Sequence, residues 1–159
     1  MVFVMLDVLQ IDHHTYMQYM KEDPRLCWKG LSDQSLDYLY HKGIVPISSD
    51  TEVYGVYEGA SLICCLTLNR WNERSAYVHI YLSTHYKSLD KLLLIKESML
   101  QYIKERLHYC KLVSYVPHTC KHAIWCVKKL GFTQEGKITQ AGTWRQRIID
   151  YLVYSLEIK

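Results

Sequence analysis

Residues Tyr77 to Leu107 read YVHIYLSTHYKSLDKLLLIKESMLQYIKERL, and this stretch decides the fold. Its first six residues alternate aromatic or polar side chains with apolar ones, which is the period of a strand. After Ser88 the apolar residues recur every three or four positions. This spacing predicts one apolar helical face, formed by Leu92, Ile95, Met99, Ile103 and Leu107. We therefore predict a strand, a polar turn and about five turns of helix, a geometry that presents helical N–H groups to an anion.

The rest of the chain supplies strands and helices around this stretch. Further strands are predicted at Val2 to Val8, Glu52 to Tyr57, Ala60 to Leu68, Lys111 to Val116, Phe132 to Ile138 and Ile148 to Ile158, the last two flanking a turn rich in Gly and Thr. Further helices are predicted from Asp12 to about Met20, from Ser32 or Asp33 to His41, and from Thr119 to Leu130. This order of hairpins and crossovers predicts an α+β fold with a mixed sheet of about seven strands and about four helices.

Composition narrows the class of protein. With 159 residues and no visible linker, we expect a single domain over residues 1–159. A formal net charge of +3 is small for a dedicated nucleic-acid binder, so nucleic acid is not an expected partner. The apolar runs are too short to span a bilayer, and the N-terminal residues do not resemble a cleavable leader. Six cysteines without a C-x-x-C pair are then expected to be reduced thiols of a cytoplasmic protein.

Two C-terminal segments resemble a known family. Ala123 to Gly136 reads AIWCVKKLGFTQEG, which resembles the helix of the GNAT superfamily of N-acetyltransferases that ends in Leu-Gly-Phe before a strand carrying Glu-Gly. Asp150 to Leu156 resembles the last strand of that family. The resemblance implies a GNAT-like sheet splayed between the fourth and fifth strands, acetyl-CoA in the opening and direct acetyl transfer to a small-molecule or protein amine. Small virus-encoded members look similar, which would make a virion component conceivable.

The resemblance also implies which residues bind acetyl-CoA. The pantetheine arm would bond to the backbone near Leu82, Ser83 and Thr84. The pyrophosphate would sit on the turn formed by Lys87, Ser88, Leu89, Asp90, Lys91 and Leu92. Asp90 and Leu92 stand where the family has small residues, and a carboxylate there repels a diphosphate. The alternative is that Ser88 and Asp90 simply cap the helix for stability.

The catalytic groups of the family are not all matched. Val127 stands where the family has the tyrosine that protonates the thiolate, and Cys120 where it has an asparagine. Tyr115 or Tyr86 could substitute as the acid. Candidate bases are Glu73, just before the central strand, with His79 and Tyr81 along it, since an imidazole has a suitable pKa. A strand histidine with aromatic neighbours is also common in ordinary packing.

Other residue patterns give weaker indications of function. His118, Cys120 and His122 form an H-x-C-x-H pattern with no second pair at zinc-like spacing, so no metal is predicted. The 14 Tyr and 4 Trp residues could form a surface for a protein partner or for copies of the chain. Two hypotheses remain open: an acetyl-CoA-dependent N-acyltransferase, and a catalytically inactive scaffold with the same fold.

Overall fold

The computed structural model describes residues 6–22, 50–82, 88–144 and 146–159. The strands are β1 (Asp7–Gln10), β2 (Glu52–Glu58), β3 (Ser61–Arg70), β4 (Ser75–Leu82), β5 (Lys111–Pro117), β6 (Thr133–Trp144) and β7 (Arg147–Glu157). The helices are α1 (His13–Glu22), α2 (Leu89–Tyr102) and α3 (Lys121–Lys129). The helix predicted from Ser32 or Asp33 to His41 lies outside the described residues.

The strands form one mixed sheet in the order β1-β2-β3-β4-β5-β7-β6. Every neighbouring pair is antiparallel except β4 and β5, which run parallel. That parallel pair has only three matched positions, from Ser75 opposite Lys111 to Tyr77 opposite Val113. β4 continues to Leu82 and β5 to Pro117 without further pairing between them. The predicted α+β class, the mixed sheet and the splay between the fourth and fifth strands are confirmed.

The two faces of the sheet are covered by different helices. On one face α2 and α3 bury a core with the even-numbered side chains of β4, and the predicted α2 stripe contributes Leu92, Ile95, Met99 and Ile103, each at most 1% exposed. On the other face α1 packs its aromatic residues Tyr16 and Tyr19 against Tyr81 and the neighbouring strands. The alternation predicted for β4 is therefore confirmed, because successive side chains point to opposite faces.

Helix ends follow the capping residues seen in the sequence. The Asp12 carboxylate accepts the N–H of Thr15 at 2.7 Å, and these hydrogen bonds hold the pKa of Asp12 below its ordinary value. Gly131 ends α3 with φ of 90°, and the N–H of Phe132 then reaches the carbonyl of Val127 at 3.0 Å. The Leu-Gly-Phe segment is thus a helix stop followed by a strand, as predicted.

Several boundaries differ from the predictions. The first strand, predicted at Val2 to Val8, is Asp7–Gln10, and Leu6 before it is described outside the strand. The helix predicted to run to Leu107 is α-helical only to Tyr102, where α2 ends. Ile103–Leu107 form a wider π-helical turn, closed by the hydrogen bond from His108 N–H to the Ile103 carbonyl. α3 begins at Lys121, two residues after the predicted start. The turn expected after Ile138 is wrong, because β6 continues to Trp144 and stays paired with β7 across a register shift between Ile138 and Gly142.

Candidate functional site

A cleft opens where β4 and β5 separate. It has a cavity volume of about 80 Å³, opens to solvent, and lies on the face of the sheet covered by α2 and α3. Its walls come from β4, β5, α2, α3 and the residues between α3 and β6, and include Leu82, Leu92, Val116, Val127 and Phe132. Most of these side chains are apolar, so the cleft suits a flexible, largely uncharged arm of a ligand.

A second hollow lies on the opposite face of the sheet. It is lined by His79, Tyr115, Ile138, Ala141 and Tyr151. Tyr151 pairs with Ile138 in the register of β6 and β7, which places both on the face that Tyr115 occupies. His79 and Tyr115 also line the cleft. These two residues therefore stand at the gap between β4 and β5, where they border both the cleft and the hollow.

A pair of tyrosines connects the two separating strands. The hydroxyl of Tyr115 on β5 donates to that of Tyr77 on β4 at 3.2 Å, and the ring centroids are 5.2 Å apart. That hydrogen bond, with burial as a lesser cause, raises the pKa of Tyr115 to about 12. Trp71, 58% exposed, stacks on Tyr77 at 5.3 Å and extends the aromatic row toward solvent. Tyr115 therefore stays protonated at neutral pH.

His79 is half-buried at the same gap. Burial lowers its pKa from the ordinary value, because the apolar surroundings disfavour the charged imidazolium. Its ring lies 6.4 Å from that of Tyr81, which in turn meets Tyr16 of α1 edge-on at 5.9 Å. The main-chain carbonyl of Tyr81 also accepts the hydroxyl of Tyr19 at 3.1 Å. α1 therefore anchors the end of β4 that carries His79.

The structure separates Glu73 from the other candidate catalytic residues. Glu73 is exposed in the loop before β4, at the end of the sheet where β4 and β5 are still paired. At about 3.3 Å per residue, the six steps of strand from Ser75 to Tyr81 alone span roughly 20 Å, so Glu73 lies far from Tyr81. The predicted residues His79, Tyr81 and Tyr115 lie together around the cleft, whereas Glu73 borders a separate surface hollow with Arg74 and Cys110.

The start of α2 has the geometry of a capped helix. Ser88 is the N-cap, and its hydroxyl accepts the N–H of Lys91 at 3.2 Å. Leu89 and Asp90 are exposed, and the ammonium of Lys91 pairs with the carboxylate of Glu58. Leu92 is 1% exposed and belongs to the core as well as to the wall of the cleft. The predicted binding residues Ser83, Thr84 and Lys87, and the alternative acid Tyr86, lie outside the described residues.

The residues aligned with the family's acid and asparagine are both largely buried. Val127 is 8% exposed in the wall of the cleft and has no ionisable group, and Cys120 is 9% exposed at the start of α3. One pair of side chains in the cleft was not predicted. His122 Nε2 lies 3.4 Å from Cys126 Sγ, and both residues line the cleft. Their i, i+4 spacing on a predicted helix was the available signal.

His118 of the H-x-C-x-H pattern takes part in a hydrogen bond with the main chain of β7. The Nδ1 atom of His118 accepts the N–H of Asp150 at 3.1 Å, and no group of three or more His, Cys, Asp or Glu side chains described in the structure could hold a metal ion. The cysteines within these ranges are thiols and not disulfides. None of the described helices combines the length and apolar character needed to cross a membrane.

Comparison with solved structures identifies the fold. A spermidine N-acetyltransferase from Vibrio cholerae, solved with CoA and spermine, superposes with a TM-score of 0.70 and 18% identity, covering 96% of this chain and 95% of that one. A putative phosphinothricin N-acetyltransferase gives a TM-score of 0.68 at 13% identity, covering 97% and 99%. A dodecameric form of the Vibrio cholerae enzyme gives 0.67 at 18%, covering 96% and 93%. No family model and no curated protein matches the sequence. The chain has the fold of GNAT N-acetyltransferases.

Proposed function

We propose that this protein is an N-acyltransferase that moves the acetyl group of acetyl-CoA directly to an amine. The observation that carries the proposal is the position of His79 and Tyr115, which line both the cleft on one face of the sheet and the hollow on the other. A thioester in the cleft and an amine in the hollow would meet at these two side chains. Holding two reactants in this way removes much of the entropic barrier to their reaction.

The described residues fit the acyl-bearing end of acetyl-CoA. Beyond Tyr77 the edge of β4 that faces β5 is not paired with it, so backbone groups up to Leu82 can bond to an amide-containing arm. The apolar side chains of Leu92 and Val127 suit the same arm. Acetyl-CoA supplies an acyl group activated as a thioester.

The first turn of α2 suits the diphosphate of acetyl-CoA less well than the cleft suits its acyl-bearing arm. Ser88 already caps the helix, and Asp90 adds a negative charge there. We therefore assign the diphosphate to residues before this turn, with Lys87 as the positive charge and with Ser83 and Thr84 as the further binding residues that the resemblance implies. Lys91 would contribute only if it left its ion pair with Glu58.

His79 is the proposed base. An attacking amine must lose a proton, and an imidazole can accept that proton only when it is neutral. Because burial lowers the pKa of His79, it is neutral at pH values where an exposed histidine is partly charged. Tyr81 and α1 hold the imidazole in place, which makes Tyr81 a positioning residue. Glu73 has no part in this assignment, because it lies at the other end of β4.

Tyr115 is the proposed proton donor to the departing thiolate. Its hydroxyl points to Tyr77 in the structure, but hydroxyl hydrogens rotate, so Tyr77 can donate to Tyr115 while Tyr115 donates into the cleft. A raised pKa keeps this hydroxyl protonated across the neutral range. Tyr115, with Tyr77 as its hydrogen-bond partner, would then protonate the thiolate, which the apolar side chain of Val127 cannot do.

The proposal is tested first by calorimetry with acetyl-CoA and then by release of the CoA thiol in the presence of a panel of amines. We expect saturable binding, and turnover that His79→Gln lowers by about a hundredfold or more, as for loss of a general base. The matched control is His14→Gln, an exposed histidine on α1, which should leave turnover unchanged. Folded protein that takes up no acetyl-CoA at millimolar concentration would refute the proposal.

A further inference from the structure

A second pair of reactive side chains lies in the cleft, on α3. Cys126 and His122 are four residues apart on one face of the helix, and the Sγ–Nε2 distance is 3.4 Å. Both side chains are half-buried, and both line the cleft together with His79 and Tyr115. The ring of His122 stacks on Trp125 at 5.9 Å with an angle of 20° between the planes, which fixes its orientation. A thiol within hydrogen-bond reach of an imidazole is the arrangement that activates a cysteine nucleophile.

Three of the other described cysteines, Cys64, Cys65 and Cys110, lack this setting. Cys64 and Cys65 are fully buried in β3, and burial raises the pKa of Cys64 to about 12, so its thiolate is strongly disfavoured. Cys110 is exposed and borders a different hollow, near Glu73 and Arg74. Cys126 combines access to the cleft with a base beside the sulfur.

We infer that Cys126 is a second acyl acceptor, which takes the acyl group from a thioester bound in the cleft when no amine occupies the opposite hollow. This inference rests on the proposed use of acetyl-CoA. His122 Nε2 takes the proton of the Cys126 thiol, and the sulfur forms a bond to the carbonyl carbon. The bond between that carbon and the sulfur of CoA breaks, and the proton on His122 passes to the departing sulfur. The products are S-acetyl-Cys126 and CoA, with no oxidant or reductant required.

The reaction exchanges one thioester for another of similar stability. It is therefore reversible, and by mass action the fraction of acetylated Cys126 follows the ratio of acetyl-CoA to free CoA. An acetyl group on Cys126 occupies space in the cleft beside Val127, which hinders binding of the next acetyl-CoA. The modification thus makes the protein less active when acetyl-CoA is abundant and amine is scarce.

The test is intact-protein mass spectrometry after incubation with acetyl-CoA without amine, followed by peptide mapping. We expect one added acetyl group on Cys126, and its removal by excess free CoA. Cys126→Ser should abolish labelling at that position, and His122→Gln should slow it by about a hundredfold. The matched control is Cys110→Ser, which should label at Cys126 as the wild type does. Circular dichroism of each variant confirms that it is folded.

The outcomes separate this inference from the proposed function. Calorimetric binding of acetyl-CoA and turnover of an amine, without labelling of Cys126, would overturn the inference and leave the proposed function intact. Labelling of Cys110 as fast as Cys126 would also overturn it, because simple exposure would then explain the reaction. If acetyl-CoA neither binds nor labels the folded protein, both fail together. If amine alone removes the label, Cys126 is an intermediate and not an end acceptor, which likewise overturns the inference.

Discussion

Replacing Asp90 by asparagine removes a negative charge from the first turn of α2, beside the residues to which the proposed function assigns a diphosphate. Asp90 is exposed, so its charge acts through water. Two unit charges about 4 Å apart in bulk water interact by about 1 kcal/mol, which corresponds to roughly a fivefold change in a binding constant. We therefore expect Asp90→Asn to tighten acetyl-CoA binding by about fivefold. The same change should lower stability by about 0.3–1 kcal/mol, because the carboxylate favours the helix dipole.

Calorimetry at low and high salt measures this effect. The gain in affinity should shrink as salt is raised, because exposed charges are screened over about 10 Å at 0.1 M. The control is Glu97→Gln on the same helix, an exposed carboxylate seven residues further along. At 1.5 Å per residue it lies about 10 Å from Asp90, so its removal should change the affinity little. Equal affinities for wild type and Asp90→Asn at low salt would refute the idea that this carboxylate opposes a diphosphate.

Three further predictions concern the gap between β4 and β5. The pKa of His79 is lower in the folded protein than in the unfolded chain, so the unfolded chain binds more protons below about pH 6.5. The free energy of unfolding should therefore fall as pH drops from there toward the folded pKa. Urea titrations at several pH values should show this fall, and His79→Gln should weaken it. Tyr77→Phe removes the partner of the Tyr115 hydroxyl, so the pKa of Tyr115 should fall from about 12 toward 10 in a tyrosine NMR titration, and an unchanged value would contradict the hydrogen-bond explanation. In Gly142→Ala the new Cβ would lie 2.5 Å from Cε2 of Tyr151, so the ring must move. Tyr151 lines the hollow to which the amine is assigned, so the KM for the amine should rise while the calorimetric affinity for acetyl-CoA stays constant.

The fold was predictable where periodicity and capping agree. The alternation from Tyr77 to Leu82, the stripe of α2 and the Gly131 stop each follow from short-range rules, and each is confirmed. The length of β6 was not predictable in the same way. Gly142 and Thr143 read as a turn, but long-range pairing with β7 keeps them in the strand. Positive φ at Gln140, whose N–H bonds to the Asp150 carboxylate, accommodates the irregularity.

The site was predictable only in part, because a sequence gives the face of a strand but not the partner across it. Alternation placed His79 on the same face as Tyr77, and the resemblance placed Leu82, Ser83 and Thr84 at the opening. The contact between Tyr77 and Tyr115 depends on the register of β4 against β5. Glu73 was plausible by proximity in sequence to the central strand, yet strand length carries it to the far end of the sheet. The register and the length of each strand therefore decided which candidates meet.

The burial of Leu92 changes what its departure from the family pattern means. A leucine in place of a small residue would block a phosphate only if its side chain faced the ligand beside the turn. Leu92 instead points into the core with Ile95 and Met99, and reaches the cleft only as part of its apolar wall. Replacing it with glycine would remove a buried side chain, at a cost of about 2–5 kcal/mol for the lost packing and roughly 1 kcal/mol for helical glycine, without exposing a new backbone donor to the turn. The charge of Asp90 is therefore the feature of this helix start that opposes diphosphate binding, which is why the Asp90→Asn variant tests the departure and a Leu92 variant does not.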